Sequence, residues 1–353
     1  MRITRESLLK IAQDTAAQRV RINRRLICIY LSGSLASTPV NAQSPAALNL
    51  ENPLLGGTTD IDLIFVHDDD PPQEREIIRL TDEVHVDISH YPQRLFKDTR
   101  HLRQDPWLGG YLCLDPIVLH DQHHWFDFIQ AAGCAQFMLP ENILLRARPL
   151  IESARRRWMS LVNQPACTPL ALYTYLKALE DAANAIAVIH GGPLTERRFF
   201  LYYPRRTEAV GRPGLAGGIL DLIATQPLRT EDWQACLPQW AETYLAAAQT
   251  PACPPRLHPH RLSYYERAIN ELRTSLPAGA IWLLLRTWSL AACQLPQDHA
   301  CLSSFQAACG KLGLDVDNFM SRLDGLDAYL DAVEETLDMW AVDNGIVPLS
   351  ERL

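Results

Sequence analysis

The chain has 353 residues, 47% of them hydrophobic and 21% charged, with 33 Lys and Arg against 41 Asp and Glu for a formal charge of −8. That length exceeds one ordinary core and predicts two domains, and the balance excludes a disordered or fibrous chain. The negative sign argues against a protein whose main task is to grip a nucleic-acid backbone.

The opening stretch "MRITRESLLKIAQDTAAQRVRINRRL" has no continuous apolar run and predicts an amphipathic helix rather than a secretory signal. "RLICIYLSGS" then reads as a short apolar strand ending in a Gly-Ser turn, and "DIDLIFVH" as a second strand. "EREIIRL" predicts either a hairpin strand turning at Thr81 to Glu83 or a helical turn. "EVHVDISHY" alternates with period two, which puts His85, Asp87 and Ser89 on one face and Val84, Val86 and Ile88 on the other. In "LHDQHHWFDF", His120, His123 and His124 suggest metal ligands or, more simply, a cap on the end of the first domain.

Beyond about residue 140 the pattern becomes helical. Leu172, Leu176, Leu179, Ala183 and Ile186 repeat every three to four residues between Pro169 and the Gly191-Gly192 break. "YYERAINELRTSL", the Trp282 segment and "DNFMSRLDGLDAYLDAVEETLDMWAV" continue it, with a Pro-rich connector over 249–261. "AGAIWLLLRTWSLAACQL" contains Arg286 and is shorter than the roughly 20 residues of a membrane span, so it predicts a core helix. The nine cysteines are scattered without a C-x-x-C pair, which argues against a disulfide framework or zinc site and leads to the expectation of a reducing, cytoplasmic setting.

Asp60 and Asp62 sit two apart at the mouth of a buried strand, so both project from one surface while Ile61 and Leu63 enter the core. Two carboxylates about 4 Å apart repel by roughly 1 kcal/mol in water and about 4 kcal/mol at an effective dielectric near 20. A hard divalent cation such as Mg²⁺ is a natural partner, since it is commonly held by one or two carboxylates plus substrate phosphates. The acid-x-acid pattern also occurs at Asp68/Asp70, Glu74/Glu76 and Asp315/Asp317, so context selects the pair: a preceding strand ending in Gly33-Ser34, and Asp87 on a neighbouring strand.

Gly33-Ser34, Asp60-Ile61-Asp62 and Asp87 together resemble the DNA polymerase beta-like nucleotidyltransferase superfamily, whose pattern is an apolar strand, Gly-Ser, a helix, an Asp-x-Asp/Glu strand and a third acid on a later strand. An α/β head followed by helices is similar to its small-molecule members, among them the kanamycin, streptomycin and lincosamide nucleotidyltransferases. The motifs span roughly Leu26 to Tyr91. One departure is the 26 positions from Ser34 to Asp60, about double the family's usual gap, made by an insertion over 37–57.

The resemblance implies an α+β chain: a nucleotidyltransferase head with a small mixed sheet over 1–135 and an all-α, substrate-binding domain over 136–353. It implies Mg²⁺, as two ions, with an NTP as co-substrate. Asp60, Asp62 and Asp87 would be the metal ligands, with Asp87 alternatively accepting the acceptor proton. Gly33 and Ser34 would cradle phosphates at a helix N-terminus.

Glu180 is the candidate general base, its other reading being a surface glutamate near Lys177. Arg197 and Arg198 are candidates for the triphosphate; like Arg146/Arg148, Arg155 to Arg157 and Arg205/Arg206, they also read as a solvated face. The implied reaction moves a nucleoside monophosphate, AMP foremost, to a hydroxyl of a small molecule such as an aminoglycoside. Alternatives are a protein or RNA acceptor and a nucleotide-binding sensor without turnover. Neither nucleic acid nor a membrane is an expected partner, and the sequence does not set the oligomeric state.

Overall fold

The computed structural model describes residues 3–36, 54, 56–163, 167–224, 228–251 and 253–346. Most of the 37–57 insertion therefore lies outside the described residues. The chain is α+β, with one five-stranded mixed sheet and many helices. It divides into two compact units, Met1–Arg146 with Gly191–Pro193, and Ala147–His190 with Leu194–Leu353.

The first unit opens with α1 (Arg5–Ile22), started by a capping box in which Ser7 N donates to Thr4 Oγ1 at 3.2 Å and Thr4 N to Ser7 Oγ at 3.0 Å. The strands are β1 (Leu26–Ser32), β2 (Thr59–His67), β3 (Arg75–Arg79), β4 (Val84–Pro92) and β5 (Ile117–Asp121), arranged β3-β4-β2-β1-β5. Among the described strands only β2 and β4 pair in parallel. "EREIIRL" thus forms the hairpin strand and not the helical turn, and Thr81 Oγ1 fixes its turn by accepting from Glu83 N and Val84 N, each at 3.1 Å. That return strand brings the chain back to run β4 alongside β2.

Alternation along the strands builds two cores. On one face Leu31, Ile61, Leu63, Val86 and Ile88 pack with Leu8, Ala12 and Ala16 of α1. Burying each large apolar side chain contributes roughly 1.5–3 kcal/mol. On the other face Cys28, Tyr30, Ile64 and Val66 pack with Leu102, Leu108, Leu112 and Phe126. These come from α2 (Thr99–Gln104), α3 (Leu108–Cys113) and α4 (Trp125–Cys134).

One sequence expectation needs correction here. Cys113 and Cys134, at the ends of α3 and α4, form a disulfide, while the seven other cysteines are free. Residues 21 apart in sequence become neighbours only when the two helices pack. His124 is the N-cap residue of α4 and, like His123, has a left-handed backbone; Asp121 Oδ1 accepts from Phe126 N at 2.9 Å, and one ligand atom each of Asp121, His124 and Asp127 lie within 4.8 Å of one another.

After α5 (Pro140–Asn163), the second unit is helical in its described residues: α6 (Pro169–Ala187), α7 (Phe199–Ala209), α8 (Gly214–Ile223), α9 (Thr230–Ala248), α10 (Leu262–Ser275), α11 (Pro277–Ala292), α12 (Cys301–Lys311) and α13 (Val316–Asp343). The Pro-rich connector forms two short turns between α9 and α10. The Trp282 segment is α11, buried from Gly279 to Ala292 including Arg286. Among the described residues no helix is long and apolar enough to cross a membrane.

Candidate active site

Strand register assembles the acids. Asp62 lies opposite Ser32 across the antiparallel β1/β2 pair and opposite Asp87 across the parallel β2/β4 pair, while Asp60 lies opposite His85. Partners in register share a face, so Ser32, Asp62 and Asp87 form one row across three strands. The next row on that face, Tyr30, Ile64 and Ser89, leads into the apolar core under α2, α3 and α4. Carboxylate oxygens of Asp60, Asp62 and Asp87 lie within 4.8 Å of one another. Asp87 is buried, and Asp60 and Asp62 are half-buried.

Three like charges at that spacing repel one another, and Arg75 on β3 answers part of the repulsion. Its Nε donates to Asp87 Oδ1 at 2.7 Å and its Nη2 to Oδ2, a bidentate fork that satisfies a carboxylate only 3% exposed. Tyr111 of α3 lies close enough to Asp62 to feel its charge. Burial first, and the adjacent Asp62 charge second, push its hydroxyl above the ordinary tyrosine value, so it keeps its proton.

The three acids fit a bound hard cation. Gly33 has φ of 74°, and a Cβ built there would sit 2.5 Å from Asp62 Oδ2, so the absent side chain leaves open the space beside that oxygen. The Ser32 hydroxyl is 1% exposed and without a hydrogen-bond partner, although it shares the row of the acids. An oxygen-only donor set of this kind suits Mg²⁺. Ser34 is half-buried in a three-residue 3-10 turn, Gly33–Leu35, where Ala36 N donates to Gly33 O at 3.2 Å. The described residues stop at Ala36, so the continuation of the helix expected after Gly-Ser lies outside the described residues.

The remaining predicted residues belong to the second unit. Glu180 on α6 is 3% exposed rather than on the surface, and its Oε2 accepts from Lys177 Nζ at 2.6 Å and Arg286 Nη2 at 2.8 Å. Burial raises its carboxyl, but the charges of Arg286, Lys177 and Arg256 outweigh that and hold it below the ordinary carboxylate range. The carboxylate is held in ion pairs with Lys177 and Arg286 inside the helical unit. Arg197 and Arg198 lie in the short turn before α7, 9% and 5% exposed, so the solvated face is also corrected. The Arg197 guanidinium stands 5.8 Å from the Tyr264 ring centre.

Sequence reasoning missed Arg75, Ser32 and Tyr111. For Arg75 the signal existed: once "EREIIRL" is a hairpin strand, register puts Arg75 opposite Ser89, one step along the face from Asp87. Tyr111 carried no local signal, since the packing of α3 on the sheet decides its place. No protein-family model matches the chain and no curated protein matches it, so what the site does is argued from its own geometry.

Proposed function

We propose that the protein is a Mg²⁺-dependent nucleotidyltransferase that moves a nucleoside monophosphate, AMP foremost, from an NTP to a hydroxyl of a small molecule, with an aminoglycoside-like antibiotic as the acceptor the resemblance points to. In this reading the first unit is the catalytic head and the helical unit binds the acceptor. The observation that carries the proposal is the convergence of Asp60, Asp62 and Asp87 beside a glycine whose missing side chain leaves room at Asp62.

The reaction is an in-line displacement: the acceptor oxygen bonds to the α-phosphorus, the bond to the pyrophosphate oxygen breaks, and the acceptor proton leaves to solvent or a base. Asp60, Asp62 and Asp87 are the residues that would hold the ions. Bound Mg²⁺ would supply charge neutralisation on the phosphates and on the attacking and leaving oxygens. Ser32 and Ser34 offer hydroxyl donors to phosphate oxygens, and Gly33 permits their close approach. Tyr111, kept protonated, donates without adding charge. Arg75 fixes the orientation of Asp87, and the rigid sheet holds all three acids.

Calorimetric titration of a non-hydrolysable ATP analogue, with and without Mg²⁺, into wild type and Asp62→Asn tests the reading. Mg²⁺-dependent binding that Asp62→Asn abolishes supports it; no binding to wild type, or binding indifferent to the substitution, overturns it. Turnover of α-labelled NTP then identifies the acceptor. Label on a macromolecule would move the acceptor to protein or RNA, and nucleotide binding without pyrophosphate release would mark a sensor.

A further inference from the structure

Arg75 stands on the edge strand β3, directly opposite Ser89, while the residue opposite Asp87 is Ile77. Its guanidinium therefore reaches diagonally along β4 to engage both oxygens of Asp87. The Arg75 side chain is 32% exposed and that of Asp87 3%, so the positive charge lies at the wall of the acidic group and not in bulk water. Three carboxylates carry three negative charges, and Arg75 offsets one of them.

We propose that Arg75 is a built-in counter-cation of the acidic site, which stabilises the metal-free fold and weakens divalent-cation binding until a nucleotide brings its own negative charge. The inference rests on the metal-site reading above. A divalent ion entering among Asp60, Asp62 and Asp87 meets the attraction of three carboxylates and the repulsion of one guanidinium a few ångströms away. The triphosphate offsets that repulsion, so metal and nucleotide binding are coupled, and by linkage each tightens the other equally. A merely orienting role predicts the opposite sign: freeing Asp87 would loosen metal binding.

Mn²⁺ titration of the nucleotide-free, full-length chain, followed by loss of the free-ion electron paramagnetic resonance signal, separates the two. Arg75→Met keeps an apolar stem and removes the charge, and is expected to bind Mn²⁺ about tenfold tighter, or about 1.4 kcal/mol. Its Mn²⁺-induced rise in melting temperature should exceed that of wild type. Arg75→Lys keeps the charge and should stay within about threefold of wild type. Arg75→Gln, with a polar amide in place of the charge, provides the same reading if the Met variant does not fold. Unchanged or weaker Mn²⁺ binding in the neutral variants, with wild type binding normally, overturns the counter-cation role and leaves the site intact. No Mn²⁺ binding by wild type or any variant overturns the metal site and this inference with it.

Discussion

In the sheet unit, Asp60, Asp62 and Asp87 crowd three carboxylates together and Arg75 compensates Asp87. In the helical unit, Glu180 and Glu196 instead alternate with Lys177, Arg256 and Arg286: Arg286 Nη2 reaches Glu180 Oε2 at 2.8 Å and Glu196 Oε1 at 3.4 Å, and Arg256 meets Glu196 at 2.5 Å. The guanidinium of Arg286 also stands 5.1 Å from the Tyr173 ring centre. The helical network closes its charges on one another and holds α6 to α11. The contrast separates like-charged carboxylates gathered at one place from carboxylates interleaved with cations, although each group includes a buried carboxylate.

The largest effect is expected in the helical network. Arg286→Met leaves Glu180 and Glu196 short of a buried partner and should destabilise by about 3–5 kcal/mol in urea unfolding. The double variant with Glu180→Gln should recover much of that loss. Acid should reach the same network. The folded Glu180 carboxyl lies below its unfolded value of about 4.3, so its stabilisation is complete above that pH and disappears as pH falls through the lower folded value. Glu180→Gln should flatten this acid limb in a series of thermal melts.

Asp62→Asn should invert the pattern. Relieving like-charge repulsion should stabilise the sheet unit by about 1 kcal/mol in the absence of metal, while the proposed nucleotidyl transfer should fall more than about 100-fold, since even outer partners of metal ligands carry 10- to 100-fold effects. A loss of both stability and activity would erase the contrast. Gly33→Ala forces a side chain into a left-handed backbone and against Asp62, and should cost roughly 1–2 kcal/mol in stability with a sharp drop in Mn²⁺ binding. The smallest effect belongs to the exposed pair of Arg94 with Asp70, where Arg94→Ala should change stability by less than about 1 kcal/mol.

Period-two alternation was enough to read Asp60, Asp62 and Asp87 from sequence, because side-chain direction in a strand is set locally. Gly33 was legible as a turn residue, but its need to lack a side chain comes from Asp62 Oδ2, 29 positions away. Arg286 was legible as a charge within an apolar helix; its partner Glu180 is 106 residues distant, and no local pattern names it. Arg197 and Arg198 read as a solvated face because charge runs usually are, whereas packing in the helical unit buries them.

The sequence by itself determined the α+β class, the strand carrying the acidic pair, the amphipathic first helix and the buried Trp282 helix, since hydrophobic periodicity and turn chemistry act over a few residues. Tertiary structure alone decided the Arg75 fork, the Cys113–Cys134 bridge, the orphan Ser32 hydroxyl beside the acids and the ion-paired state of Glu180. Each depends on which distant segments are brought within hydrogen-bonding or bonding distance, and that is fixed by strand register and helix packing rather than by any short stretch of chain.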